Sequence, residues 1–247
     1  MKTIKFIILL TIFATPHLFA SDLDINHWSD YSGNLEGKPI NMSLYRFSNN
    51  QVRGHYYLKG TCTKTYLAGS LKNKQLKLYV IKNNQVTSIF KGYFITNDRD
   101  RLEGTCVSND KTTKEFKLVL TSTIASNYKS RYSLQNVTTN EAETFAKKIK
   151  KAIIERNKKW LSDNIHYPIT LNFNGKQKRI IKNKKEFLRN YDIIFHSTFI
   201  KKVKEFECVD MFCNYQGLML GAGEIWMNCI TVTGTNNCKM TITAINN

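Results

Sequence analysis

Two stretches of this chain, 44 residues apart, close on the same five-residue signature: Leu58-Lys-Gly-Thr-Cys62 and Leu102-Glu-Gly-Thr-Cys106. Each is preceded by an apolar–basic–Gly–aromatic run, Val52-Arg-Gly-His-Tyr-Tyr in the first case and Phe90-Lys-Gly-Tyr-Phe in the second. Between and around them, residues 31–122 alternate apolar and polar in short runs, as in Ile40-Asn-Met-Ser-Leu-Tyr, Leu76-Lys-Leu-Tyr-Val-Ile and Phe116-Lys-Leu-Val-Leu. Period two is the signal of half-buried strands. Asn49-Asn50, Asn83-Asn84 and Asn97-Asp98 supply turns between them. The expectation is an all-β domain over 21–125, an antiparallel sandwich or small barrel made of two similar sets of strands. Equivalent cysteines then pair, Cys62 with Cys106, and closing that loop contributes about 4 kcal/mol in the chain-entropy model. Tyr56, Tyr57, Tyr93 and Phe94 read as core.

The cysteines also bear on the compartment. All six (Cys62, Cys106, Cys208, Cys213, Cys229, Cys238) lie beyond residue 20, and the first 20 residues read as a signal peptide. Lys2 and Lys5 form a positive start, Phe6 to Ala14 an apolar core too short to span a bilayer, and Leu18 and Ala20 precede a cut before Ser21. An even cysteine count behind such a segment predicts disulfides and a periplasmic or secreted protein. No CxxC or His-x3-His spacing suggests a metal, and no later segment is apolar enough to span a membrane. Cys229 and Cys238 flank a Gly234–Asn237 turn and are expected to clip one hairpin. Cys208 and Cys213 are then left to close the loop between them, with other pairings into that hairpin open.

Residues 126–138 are polar and read as a linker. Beyond them the pattern is helix, hairpin, helices, strands. Asn140 and Glu143 have capping-box spacing, and Phe145, Ile149, Ala152, Ile153, Arg156 and Trp160 follow at helical spacing. Lys147, Lys148, Lys150, Lys151, Lys158 and Lys159 occupy the opposite face. Tyr167 to Phe173 and Arg179 to Ile181 are strands joined at Asn174-Gly175. Asn183 caps a helix buried through Phe187, Leu188, Tyr191, Ile194 and Phe195, and 198–206 continue as a short second helix. Gly217 to Ile230 and Cys238 to Ile245 form a last antiparallel set.

The run Gly33-x-Leu-x-Gly-Lys-x-Ile-x-Met-x-Leu44 with Val52-x-Gly-x-Tyr-Tyr57 resembles a β module of exported bacterial proteins. Tyr167-Pro-Ile169, Tyr191-Asp-Ile-Ile-Phe195 and the Gly217–Trp226 run, in their helix–hairpin–helix–strands order, resemble the NTF2-like superfamily. That resemblance implies an α+β cone over 139–247 with an enclosed pocket, for which His166, Tyr167, Asp192, His196, Glu224 and Trp226 are the candidate lining residues.

The whole chain carries a net charge of +18. Between Lys147 and Lys204 stand 17 Lys and Arg against four Asp and Glu; from Glu205 onward Lys239 faces four acids. Such asymmetry points to an anionic partner steered to the helices. Export argues against nucleic acid and favours an acidic protein or an anionic envelope polymer. No nucleophile elbow, P-loop, dinucleotide fingerprint or HExxH is present, so neither a catalytic set nor a cofactor is expected. The chain therefore reads as a non-catalytic binding protein, an inhibitor or immunity protein that engages an acidic partner through Lys147, Lys148, Lys150, Lys151, Lys158, Lys159, Lys184 and Lys185. The alternatives are an NTF2-like ligand carrier or enzyme and a protein that attaches to an anionic polymer.

Overall fold

The computed structural model describes residues 23–96, 100–173, 177–232, 234 and 237–247. The signal-peptide reading and the turns at Asn97-Asp98 and Asn174-Gly175 lie outside the described residues. Period-two alternation produces eight strands: β1 (His27–Leu35), β2 (Lys38–Arg46), β3 (Gln51–Leu58), β4 (Thr65–Lys72), β5 (Gln75–Lys82), β6 (Gln85–Thr96), β7 (Asp100–Ser108) and β8 (Thr113–Ala125). Each is antiparallel to the next, and β8 closes on β1, so the domain is a closed barrel. Closure leaves no free edge. Asn83 and Asn84, both at positive φ, turn β5 into β6 as the Asn-Asn pair predicted.

Inward positions fill the barrel: Ile40, Met42, Leu44, Leu76, Leu78, Phe90, Leu102, Phe116 and Leu118 are all buried. Tyr56 meets Phe90 edge-on at 5.4 Å, and Phe90 meets Phe116 at 5.3 Å. Tyr57 and Tyr93, expected in this core, point outward instead: Tyr57 lies buried under the second lobe and Tyr93 is 51% exposed.

The echoed motifs are not structural equivalents. Cys62 sits in the loop between β3 and β4, whereas Cys106 lies inside β7, on the inward parity of Leu102, and is buried in the barrel. The two sulfurs therefore do not meet. Cys62 bonds to Cys208 of the second lobe, and Cys229 bonds to Cys238 across the last hairpin as expected. Cys208 is thereby withdrawn from Cys213, and Cys106 and Cys213 remain free thiols.

The second lobe contains α1 (Thr139–Ile154), α2 (Lys158–Asp163), β9 (Ile165–Phe173), β10 (Gln177–Ile181), α3 (Lys184–Ile194), α4 (Ser197–Lys204), β11 (Phe212–Asn214), β12 (Gly217–Leu220), β13 (Ile225–Thr231) and β14 (Cys238–Asn246). Its six-stranded sheet runs β10-β9-β14-β13-β12-β11, antiparallel except where β14 joins β9. Phe145, Ile149, Ile153, Phe187, Tyr191 and Phe199 from the helices share one core with Ile169, Leu171, Leu218, Met227 and Ile242 from the sheet. No described helix is long and apolar enough to cross a membrane.

Two local readings shift. The capping box of α1 is Thr138 with Glu141, two residues earlier than Asn140 with Glu143. Both spacings satisfy the motif; Glu143 is taken by the lobe interface. The helix expected to run to Trp160 stops at Ile154, because Arg156 turns to φ 53° and Asn157 caps α2 by accepting from the Trp160 N–H. Arg156 is exposed rather than part of the apolar face.

Candidate functional site

The site with the densest polar chemistry is the seam between the lobes. On β1, β2 and β3 the outward side chains include Trp28, Asp30, Asn41, Ser43, Tyr45, His55 and Tyr57, which are buried or half-buried where the second lobe and the segment leading to it lie over them. The segment 126–138 runs along this wall, with a short 3-10 turn at Ser133–Gln135, and buries Arg131 and Tyr132.

Arg131 is central. Its guanidinium forks onto Asp30, at 3.1 Å to Oδ1 and 2.5 Å to Oδ2, and also donates to Ser43 Oγ at 3.1 Å. Ser43 in turn donates to Asp30 at 2.6 Å. A bidentate pair of this kind fixes orientation as well as distance. Asp210 approaches Arg131 Nε at 3.6 Å and takes His55 Nε2 at 2.7 Å. Burial alone raises the Asp210 carboxyl, but His55 and Arg131 beside it outweigh that and hold it well below the usual carboxylate range. Burial by itself favours neutral Arg131; Asp210 and Asp30 override it and keep the guanidinium charged.

A second group lies beside the first. Lys64 pairs with Glu143 at 2.6 Å, Glu143 accepts from the Tyr132 hydroxyl at 3.3 Å, and that hydroxyl accepts from the Met211 N–H at 3.0 Å. Burial, then Glu143, pushes the Tyr132 phenol far up. Burial, then Asp210 and Glu207, does the same to Tyr57. Glu207 accepts from Asn41 and from the Gly60 N–H, both at 2.9 Å, beside the Cys62–Cys208 bond. Lys150 donates to the Phe206 carbonyl at 2.7 Å. At the seam His55 thus meets Asp210, Lys64 meets Glu143 and Arg131 meets Asp30 and Asp210, which is the arrangement that makes buried charges tolerable.

Three polar atoms in the seam have no hydrogen-bond partner among the described residues: Trp28 Nε1, Arg131 Nε and Asp210 Oδ1. The Trp28 ring stacks on Tyr128 at 5.6 Å and lies under the Arg131 guanidinium at 5.7 Å. A cleft of about 240 Å³ opens here, lined by Trp28, His55, Lys64, Tyr66, Arg131 and Asp210. Another of about 360 Å³ lies on the far side of Arg131, between the end of β8 and β11.

The sequence-derived candidates lie elsewhere and are not gathered into one pocket. His166 is exposed on β9, and Tyr167 is half-buried with its hydroxyl on the Ser162 carbonyl at 3.2 Å. Burial, then Asp163, pushes that phenol up to about 12. Asp192 is exposed, paired with Arg156 at 3.3 Å and Lys158 at 3.0 Å. His196 is exposed and caps α4 by accepting from the Phe199 N–H. Glu224 is buried, pairs with Lys202 and accepts from the Ala222 N–H at 2.5 Å, and it lines a cleft of about 410 Å³ with Glu205, Glu207 and Phe206. Trp226 is half-buried on β13.

Of the lysines, Lys147, Lys148 and Lys185 are exposed with no ion pair among the described residues, and Lys151 makes a long contact to Glu155 at 3.8 Å. Lys159 and Lys184 both meet Asp163, Lys158 lies over the Tyr191 ring at 4.6 Å, and Lys150 is committed to the seam. Among the described residues no group of three metal-ligating side chains gathers.

The seam residues Asp30, His55, Arg131, Glu143, Glu207 and Asp210 were not singled out as site residues from the sequence. Asp30 and His55 read as polar residues on outward strand positions, which any solvated strand also shows, Glu143 read as a helix cap, and Arg131, Glu207 and Asp210 fall in connecting segments that carry no period.

No family model and no curated protein sequence matches the chain. Among solved structures, a short afifavidin–biotin complex is similar over 40% of this chain and 91% of its own, at 11% identity and a TM-score of 0.30. Rhizavidin is similar over 38% of this chain and 84% of its own, at 15% identity and a TM-score of 0.27.

Proposed function

We propose that this is an exported, non-catalytic binding protein of the periplasm or cell exterior, and that the helical face of its second lobe takes an acidic protein partner as an inhibitor or immunity protein would. The observation that carries this reading is the set Lys147, Lys148 and Lys185, exposed on α1 and α3 without acids to neutralise them. The opposite faces of the same helices are locked into the core through Phe145, Ile149, Phe187 and Tyr191, so the charges stand on a fixed platform. Fixed, unpaired cations steer an anionic partner and raise its association rate. Two disulfides favour an oxidising compartment, in keeping with cleavage before Ser21. The second lobe is α+β, with a six-stranded sheet in the order β10-β9-β14-β13-β12-β11; an NTF2-like cone there rests on the sequence resemblance alone.

The test is capture from envelope extract at low salt with the mature chain and with K147E/K148E/K185E. Retention of one acidic protein by the first and its loss by the second supports the proposal. Equal retention by both sinks it. A second reading, a small-ligand carrier, is favoured by the 240 Å³ cleft and by Trp28 Nε1 beside it, which lacks a hydrogen-bond partner among the described residues. It expects a compound that raises the melting temperature and quenches Trp28.

A further inference from the structure

The barrel has a second wall. In a closed order of eight strands, β6 lies across from β2, so the outward face of β5–β7 is turned away from the second lobe. At its middle, Lys77 stands directly opposite Lys91 in the antiparallel register. Both are exposed, and neither has an ion pair among the described residues. Like charges facing across strands destabilise a sheet, and the packing of the barrel gives no reason for this pair. Lys72 on β4 extends the charge to one side. Toward β8 the acids are Glu103, which faces Tyr93 on one side and Lys117 on the other and lies 3.6 Å from Arg101, and Glu115, opposite Thr105.

Two tyrosines share the face. Lys77 lies over the Tyr79 ring at 5.2 Å, two positions along β5. Tyr93 is two positions from Lys91 on β6 and presents an open ring. Because the strands run oppositely, the rings fall at diagonal corners, their backbones about 14 Å apart by strand spacing. Paired cations between two aromatic platforms fit a chain that carries anionic groups and flat rings. Single-stranded nucleic acid shares this chemistry, but two disulfides belong to a compartment where polysaccharide is the expected polyanion.

We infer that the β5–β7 wall binds an acidic polysaccharide, with sugar carboxylates on Lys77 and Lys91 and ring faces on Tyr93 and Tyr79. The surface is separate from the helical face proposed above. The experiment is calorimetric titration of the full mature chain at low salt with oligogalacturonate. Free galacturonate, neutral dextran, polyphosphate and oligo-dT serve as comparison probes. Oligogalacturonate is expected to bind, K77E/K91E to weaken it by about tenfold, and Y79A/Y93A to weaken it while leaving polyphosphate binding alone. K147E/K148E/K185E is expected to leave it unchanged. Single K77E, which turns the repelling pair into an attracting one, is expected to lose affinity while melting no lower than the parent, which separates lost binding from lost folding. The inference is overturned if K77E/K91E binds normally, if polyphosphate or oligo-dT binds as tightly as oligogalacturonate, or if free galacturonate matches the oligomer.

Discussion

The two outer walls of the barrel follow one alternating pattern and meet opposite fates. On β1–β3 the outward positions hold Trp28, Asp30, Ser43, His55 and Tyr57, and the second lobe covers them. On β5–β7 they hold Lys77, Tyr79, Lys91 and Tyr93; Tyr79 is half-buried and the other three stand open to solvent. Both walls mix charge with aromatic rings. The covered wall matches its charges one against another: Asp30 with Arg131, His55 with Asp210, and Lys64, at the start of β4, with Glu143. The bare wall sets Lys77 against Lys91 at its middle. Charge pairing, more than polarity, separates the surface that is buried from the one left open.

The strongest way to break the contrast is to release the covered wall. Cys62–Cys208 closes a separation of 146 residues and Cys229–Cys238 one of 9. In the chain-entropy model, C62A/C208A is expected to cost about 5 kcal/mol and C229S/C238S about 2.5 kcal/mol, read as the shift in urea midpoint. Equal costs would show that the first bond does not hold the lobes together. Next, Arg131→Ala leaves half-buried Asp30 without its cation and buried Asp210 with His55 alone, and is expected to cost about 3–5 kcal/mol. Arg131→Lys is expected to recover part of this, since a point charge lacks the bidentate fork.

Acid should loosen the same wall. Asp210 titrates below its ordinary value in the folded chain, so its stabilisation is complete above the unfolded value of 3.8 and is lost as pH falls below it. Melting in steps below about pH 4 is expected to show a steeper loss for the parent than for Asp210→Asn. At the other end, the raised Tyr132 and Tyr57 phenols predict stability that holds below pH 10 and declines above it, as the unfolded chain ionises first. The smallest effect belongs to the bare wall: Lys77→Glu is expected to stabilise the barrel by about 0.2–1 kcal/mol, seen as a higher melting temperature. A fall would mean that the pair is not repelling.

Legibility differed sharply between local and distant relationships. The strands, the Asn83-Asn84 turn, the Asn183 cap and the Cys229–Cys238 clip were readable because each rests on residues within a few positions of one another. Asn140-x-x-Glu143 was read as the cap where Thr138-x-x-Glu141 forms it, because both spacings satisfy the motif and Glu143 pairs with Lys64 instead. The pocket candidates failed to gather because His166, Asp192 and His196 follow exposed parities that periodicity leaves open. The Leu-x-Gly-Thr-Cys echo misled for a related reason: its copies share composition but fall on a loop and a strand.

Alternation by itself determined that the first half is antiparallel β, and helical spacing determined most of the buried side of α1 and α3, because both are periods of the backbone; Leu188, read as buried on α3, is 38% exposed. The cysteine count pointed to disulfides, but of the pairings read from the sequence only Cys229–Cys238 forms; Cys62 with Cys106 and Cys208 with Cys213 do not. Only the tertiary structure decided that Cys62 reaches Cys208 rather than Cys106, that Arg131 in a polar segment becomes the hub of the seam, and which barrel wall is covered. Those outcomes depend on contacts between residues as many as 166 positions apart, such as Asn41 with Glu207, and no local period carries that information.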